Sequence, residues 1–479
     1  MSKFAMCLAG LLAVAPAAAA ELSQASLSQI GPLASGKSLL AARAQIKEDG
    51  IETTVKMTGG EKPDTVTLDI AEDFAVAYHV TDGRIYDFAL RRLLVLDDKA
   101  RTVRNTSLYA YVDFAASETA NRRMQRGALK AVKMTGDTTM LDPFWVQSEL
   151  HVMAPQDGSP IIVRRADKDG SVHFSYDKKD VASYSLSKQV LTKAESATLA
   201  RYLRYTSALH PTIIDEIAAS GRMPSRIAFE QPPMRKLPQA VWVFEKPIAV
   251  KSVYPVRDGI KPDAAPSGSD VGSTTVRDLM PVMQAAITGS ASGKRTVDDY
   301  RKAIDAALHD DKLLQAVLLA FELHEQYAQD TCEDGAPRYC RSLADVVKTA
   351  MNDTRVQVLV KALQNKDSSA DDTIAALKGL KRDDVSNPYV VDDFLANDLS
   401  ETGHDTEALP LFANAIKGNP YLAGYYKDLG DLFRRAYSPD LTWLCYDLGR
   451  MLPGGTDAPV IGNVTQQEAE LAKTYPEFF

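Results

Sequence analysis

The sequence predicts an α+β chain built as two unlike halves. Three observations carry that reading. Segments rich in β-branched and aromatic residues, divided by Asp-Gly and other hairpin punctuation, fill residues 51 to about 190. A stretch dominated by Pro, Gly, Ser and Asp, PVRDGIKPDAAPSGSDVGSTTV, then interrupts every apolar period at 255–276. Beyond it apolar residues return at helical spacing and keep it. The expected divisions are a leader at 1–20, an antiparallel-β-rich α+β domain at 21–254, a linker at 255–276, and an all-helical domain at 277–479.

The leader reads MSKFAMCLAGLLAVAPAAAA. Lys3 supplies the positive start, an apolar run from Phe4 to about Val14 follows, and small residues end in an A-x-A site before Glu21. The apolar run is too short to span a bilayer, and no later segment is longer and as apolar. The mature chain is therefore expected in the periplasm or secreted. Its net charge changes from −8 to −9 with the loss of Lys3, which argues against a nucleic-acid partner. Export makes the cysteines informative. Cys332 and Cys340, in CEDGAPRYC, are expected to close a small disulfide loop in an oxidising compartment. Cys445 sits in an apolar helical stretch and reads as an unpaired core thiol.

In the first half, TVTLDI, FAVAYHV, RIYDFAL and RLLVLDD read as strands, with turns at Asp82-Gly83 and Asp97-Asp98-Lys99. SLYAYVDF continues the strand pattern, and a helix fits Ser117 to Val132. FWVQSELHVM, PIIVRRA and SVHFSY read as further strands, with a turn at Asp169-Gly170. ESATLARYLRYTSAL fits a helix, and QAVWVFEKPIAVKSVYPV a last strand pair. In the second half, residues 298–329 read as two helices broken near His309-Asp310-Asp311. LADVVKTA, VQVLVKAL and DDTIAALKGL are shorter helical pieces. Helix pairs with short turns laid end to end suggest an α-solenoid.

One part of that array carries a recognisable pattern. Ala408, Phe412, Ala415 and Pro420 have the spacing of a second repeat helix, with Leu395-Ala396 before them. Tyr426, Leu429-Gly430 and Phe433 begin the next unit, which runs through Tyr446, Gly449 and Pro453 with Thr442 in place of a small alanine. From Leu395 to Leu429 is 34 residues. Residues 389–453 resemble the tetratricopeptide family. Asn-Pro-Tyr recurs at 387–389 and 419–421, a step of 32 residues, so the earlier unit slips in phase. The resemblance implies a curved helical array whose concave face takes a peptide or a partner domain. On the first helices of the two units it points to Asp393, Asn397, Lys427, Asp431 and Arg434 as the partner-contacting residues.

Motifs of catalysis are incomplete. His324-Glu325 starts an H-E-x-x-H, but Ala328 replaces the second imidazole. Ser185-Leu186-Ser187-Lys188 is an S-x-x-K without its K-T-G partner; the nearest string is Lys133-Met134-Thr135-Gly136. GSASGKRT from Gly289 has a short glycine spacing and Arg295 where a metal-binding hydroxyl belongs. Asp167-Lys168-Asp169-Gly170 has its glycine too early for a calcium loop and lacks the closing glutamate. No catalytic residue, metal or cofactor is therefore expected, and an unrecognised hydrolase is the least favoured reading. The favoured function is an exported protein-interaction or scaffold protein. The alternative is a carrier, in which the strand-rich half curls around an apolar ligand with aromatics such as Tyr78, Phe88 and Trp145, and would resemble the periplasmic lipoprotein carriers.

Overall fold

The structure, a computed structural model, describes residues 36–43, 47–79, 82–131, 153, 161–231, 238–252, 259–262, 266, 268–327, 341–364, 369–380, 382–455 and 459–479. The leader, the FWVQSELHVM segment save Met153, and Cys332 and Cys340 lie outside them. The chain is α+β and divides into two compact units, residues 1–263 with 471–479, and residues 264–470.

The first unit holds a twelve-stranded sheet made of two meanders. One runs through β1 (Glu48–Thr58), β2 (Asp64–Ile70), β3 (Phe74–Tyr78), β4 (Asp82–Asp87), β5 (Arg92–Asp97) and β6 (Thr102–Ser107). The other runs through β7 (Val163–Ala166), β8 (Val172–Tyr176), β9 (Lys179–Val190), β10 (Arg222–Phe229) and β11 (Ala240–Ser252). Antiparallel pairing of β1 with β11 joins them. The two-residue β12 (Lys261–Pro262) lies parallel to β6 at one edge, and β7 forms the other.

Period-two alternation divides the apolar residues between the two faces. Ala75, Ala77 and Tyr86 join a core with helices α3 (Lys193–Thr206) and α4 (Pro211–Ala219). Phe74, Val76 and Ile85 point the other way, into a core with Leu39 and Leu40 of α1 (Gly36–Arg43). That is why FAVAY is apolar throughout: it is covered on both sides.

Two expectations are overturned here. SLYAYVDF is not a strand; helix α2 runs Leu108–Ala131. The Ser107 hydroxyl accepts the Tyr109 amide at 3.2 Å, and buried Leu108 and Val112 lie one turn apart, so the apolar residues have helical spacing despite their β-type composition. Within QAVWVFEKPIAVKSVYPV, residues 240–252 are not a strand pair but one long strand, β11, and 253–256 lie outside the described residues. Lys246 takes φ +49° and, with Pro247, faces Thr53 across a bulge, where the Thr53 hydroxyl donates to the Glu245 carbonyl at 2.9 Å. The Lys246-Pro247 step is absorbed as a bulge within the strand. Strands β6 and β10 and helix α4 were not anticipated. The Asp-Lys-Asp-Gly stretch is the β7–β8 turn, with Gly170 at φ +84°.

The second unit is helical. Its elements are α5 (Val271–Ile287), α6 (Val297–His309), α7 (Leu313–Gln326), α8 (Leu343–Ala350), α9 (Thr354–Gln364), α10 (Ala370–Gly379), α11 (Tyr389–Glu401), α12 (Asp405–Gly418), α13 (Ala423–Arg435) and α14 (Pro439–Met451). Helix α15 (Pro459–Thr474) follows. The stretch read as a linker is helical from Val271, because Asp270 caps α5 by accepting the Ser273 amide at 2.8 Å. GSASGKRT is the α5–α6 loop, and Thr296 and Asp299 form a capping box that opens α6.

Helices α11 with α12, and α13 with α14, form antiparallel hairpins. Ala408, Phe412 and Ala415 are fully buried on α12. A Cβ built on Gly430 would lie 2.5 Å from the Tyr446 ring, so α13 meets α14 closely at that glycine. Ala408→Leu is expected to overpack the α11–α12 contact and cost about 1–3 kcal/mol. Urea denaturation reads it; a midpoint equal to the parent's would show that the contact has room.

The two Asn-Pro-Tyr sequences share one role. Glu322 of α7 is buried, and its carboxyl accepts from Asn387 Nδ2 at 2.9 Å and from Asn419 Nδ2 at 2.7 Å. Tyr389 Oη donates to it at 2.9 Å, and Arg295 lies at 3.5 Å. Tyr421 instead donates to the Ala291 carbonyl at 2.7 Å. Each Asn-Pro step thus precedes a first hairpin helix and ties it to α7.

Candidate functional site

The sheet unit contains two cavities on the face that carries α3. One, of about 520 Å³, is lined by Met57, Tyr111, Tyr205, Phe229 and Trp242 among others. The other, of about 610 Å³, is bounded by Val66, Ala77, Tyr86, Leu96 and Tyr202. Met57, Asp64, Thr206 and Trp242 belong to both walls, so the cavities adjoin. The strands supply these residues by alternation: Met57 from β1 and Trp242 from β11 are register partners. Tyrosines come from α3 and β4 and pack edge to face, Tyr86 on Tyr202 at 5.5 Å between centroids.

Polar groups lie at the rim. His79 Nδ1 is 3.2 Å from Asp64, and Lys62, Asp82, Arg84 and Asp97 stand in the same walls. Burial raises the Tyr86, Tyr202 and Tyr205 phenols above their ordinary range, so they remain neutral hydrogen-bond donors. The Tyr205 hydroxyl is buried with no hydrogen-bond partner among the described residues. The combination of flat aromatic walls, a charged rim and an unused phenol suits a ligand with an apolar body and a polar head. Of the aromatics anticipated for such a cavity, Phe88 is buried beside Tyr86 at 6.5 Å, Tyr78 packs on the α1 core, and Trp145 lies outside the described residues.

In the helical unit, the residues picked from the sequence come together between α7, α11 and α13. Asn397 Nδ2 donates to Asp428 Oδ2 at 3.1 Å. Lys427 Nζ lies 2.6 Å from Asp431 and 3.5 Å from Asp428. Arg434 is exposed one turn beyond Asp431, and it is Arg435 that reaches back to α11, donating to Ser400 Oγ at 2.6 Å. Asp393 corrects the sequence reading. It is 6% exposed, so it is buried between helices rather than open to a partner. Helix α7 packs against both α11 and α13, with Phe321 on Phe394 at 5.3 Å, and so covers that position.

The acids here outnumber the cations that face them. Burial, then the charges of Asp428 and Glu325, push the Asp393 carboxyl well above the usual range. Burial raises Asp428 and Glu325 in the same direction. Glu325 itself keeps solvent contact. Burial opposes the Lys427 charge, and Asp428 and Asp431 outweigh it. Asp428 and Glu325 were missed in the sequence. Glu325 comes from a helix distant in the chain, and only the packing of α7 shows its place.

His324 and Glu325 sit at the end of α7, and Ser185 to Lys188 sit on β9. Among the described residues, no group of three or more His, Cys, Asp or Glu is placed to hold a metal ion. Nor is any helix long and apolar enough to cross a membrane. The Cys445 thiol is unpaired, buried and raised well above its ordinary pKa by that burial. The chain is thus an α+β protein with two adjoining cavities in its sheet unit and buried carboxyls where α7, α11 and α13 pack in its helical unit. Comparison with models of known protein families finds no match, and no characterised protein is significantly similar to it.

Proposed function

We propose that the protein is an exported binding protein whose sheet unit carries an amphiphilic ligand. The observation that supports this most is the pair of adjoining aromatic-walled cavities meeting at Met57 and Trp242. Each has the size of a small-molecule site. The sheet supplies the walls, α3 covers them, and the orphan Tyr205 hydroxyl supplies a donor for a ligand head group. The leader-like first 20 residues support export.

The experiment is organic extraction of the soluble protein purified from the periplasm, followed by mass spectrometry. The parent is expected to release a stoichiometric acyl or aromatic amphiphile, and its N-terminus is expected at Glu21. Met57→Trp adds bulk where the two cavities adjoin and is expected to reduce the bound fraction about tenfold at unchanged melting temperature. Ligand-free parent protein, or equal loading of the variant, would sink the carrier reading.

The helical unit has a second reading, as a tetratricopeptide-like array that captures a protein. The 34-residue correspondence of Leu395 and Leu429 supports it, as do the buried Ala408, Phe412 and Ala415. Pull-down from periplasmic extract tests it, and recovery of no protein at stoichiometric yield would count against it.

A further inference from the structure

We propose that the ligand of the sheet unit is a carboxylate with an apolar chain, its head group at Lys62 and its chain running past Met57 and Trp242 into the second cavity. The inference rests on reading that unit as a carrier, and it adds the charge of the ligand and its direction.

The two cavities carry opposite charge. Lys62 lines the first, of about 520 Å³, and not the second. It is exposed, and no ion pair or hydrogen bond engages it among the described residues. Glu61 beside it belongs to neither wall. Most other polar groups of the first wall are spent within the protein. The Tyr111 hydroxyl donates to the Arg204 carbonyl at 3.3 Å, Thr206 to the Tyr202 carbonyl at 2.6 Å, and Ser207 to the Leu203 carbonyl at 2.7 Å. The Gln231 amide donates to the Gly59 and Pro238 carbonyls at 2.6 and 2.9 Å. Asp64 accepts the Thr65 amide at 2.7 Å and lies 3.2 Å from His79 Nδ1. The charge left over in the first cavity is therefore the Lys62 ammonium.

In the second cavity Asp64, Asp82 and Asp97 stand against Arg84 and His79, and His79 Nε2 lies 3.9 Å from Asp82. An anionic head is repelled by that excess of acids and drawn to Lys62. Met57 and Trp242 stand in both walls, and Val66, Ala77, Tyr86 and Leu96 give the second cavity apolar surface for a chain. One lysine compensates one negative charge, which a carboxylate carries, whereas a phosphate monoester carries nearly two at neutral pH. A lysine also keeps its ammonium in water while its stem lies along apolar surface, which suits a head group left hydrated at a cavity mouth.

The test titrates the full chain, freed of bound lipid, with dodecanoate, dodecanol and dodecylamine in a calorimeter. These probes share one chain and differ in the charge of the head. Dodecanoate is expected to bind at least about tenfold tighter than dodecylamine, and tighter than dodecanol. Lys62→Glu, at an exposed position, is expected to weaken dodecanoate about tenfold, to strengthen dodecylamine, and to leave dodecanol and the melting temperature unchanged. Met57→Trp narrows the passage between the cavities, so it is expected to weaken hexadecanoate more than octanoate. Equal binding of the three heads, preference for the amine, or unchanged dodecanoate affinity in Lys62→Glu would overturn the carboxylate site while leaving the carrier in place. Equal loss of hexadecanoate and octanoate in Met57→Trp would overturn the direction of the chain. Binding of none of the three probes would remove the carrier reading and this inference with it.

Discussion

Replacing Glu322 with alanine is expected to destabilise the helical unit by about 3–5 kcal/mol, a large share of the stability of an ordinary domain. The side chain is fully buried and accepts from Asn387, Asn419 and Tyr389. Asn419 and Gln326 also engage Tyr300, at 2.9 and 3.1 Å. Removing the shared acceptor leaves the Asn387 amide and the Tyr389 phenol inside the unit without it, while the Asn419 amide keeps only Tyr300. That desolvation penalty exceeds what the carboxyl contributes as a single hydrogen-bond partner. Glu322→Gln keeps the shape but turns a donor toward donors, so it is expected to fall between the parent and Glu322→Ala. Guanidinium titration of the helical signal measures both. If the alanine variant lies within about 1 kcal/mol of the parent, the network is dispensable and the Asn-Pro-Tyr pair has another purpose.

The sheet unit has a counterpart in Arg43, and Arg43→Met is expected to cost about 3–5 kcal/mol at pH 8 and less at pH 5. The guanidinium is buried on α1, 2.9 Å from Asp87, 2.5 Å from Asp73 and 3.6 Å from Glu48, and it lies over the Phe74 ring. Methionine preserves much of the packing and removes the charge, leaving three carboxyls together. Burial already raises Asp87 to about 6, with Asp73 adding to it and Arg43 working against it. Burial likewise raises Glu48 to about 7.

The sign follows from linkage. A carboxyl raised above its unfolded value of about 4 gives stability that is fully present below that pH and is lost as pH rises through the folded value. For the parent, that loss runs from about pH 4 through 6 to 7. Without Arg43 the carboxyls shift higher still, so the gap between variant and parent widens toward pH 8. Urea denaturation at pH 5 and pH 8 reads the difference. An equal loss at both would assign the effect to packing rather than charge.

Much of this architecture is legible in the chain because it depends on local periodicity. Alternating segments divided by turn residues become β2 through β5, and apolar stripes at helical spacing become α6, α7 and α10 through α14. SLYAYVDF misleads because aromatic and β-branched composition outweighs a helical spacing that only Leu108 and Val112 reveal. The Lys246-Pro247 step misleads for a related reason: a break in the pattern announces a disturbed ladder, but a bulge and a turn disturb it alike.

The candidate sites divide the same way. Asn397, Lys427 and Asp431 could be placed on one face from their spacing alone, because i and i+4 residues share a helix face whatever surrounds them. The burial of Asp393 could not, because it depends on α7, which precedes it by more than 60 residues and covers it. The repeated Asn-Pro-Tyr was visible as a repeat, yet its purpose lay in Glu322, a residue with no local mark. The cavity walls are likewise assembled from β1, β4, β11 and α3, elements that are neighbours only once the two meanders pair through β1 and β11. The sequence by itself determined most of the strands and helices with a clear local pattern, since those follow from short-range sterics and hydrophobic period. Only the tertiary structure decided which charge meets which, because desolvation and Coulomb attraction act between groups that the chain keeps far apart until it folds.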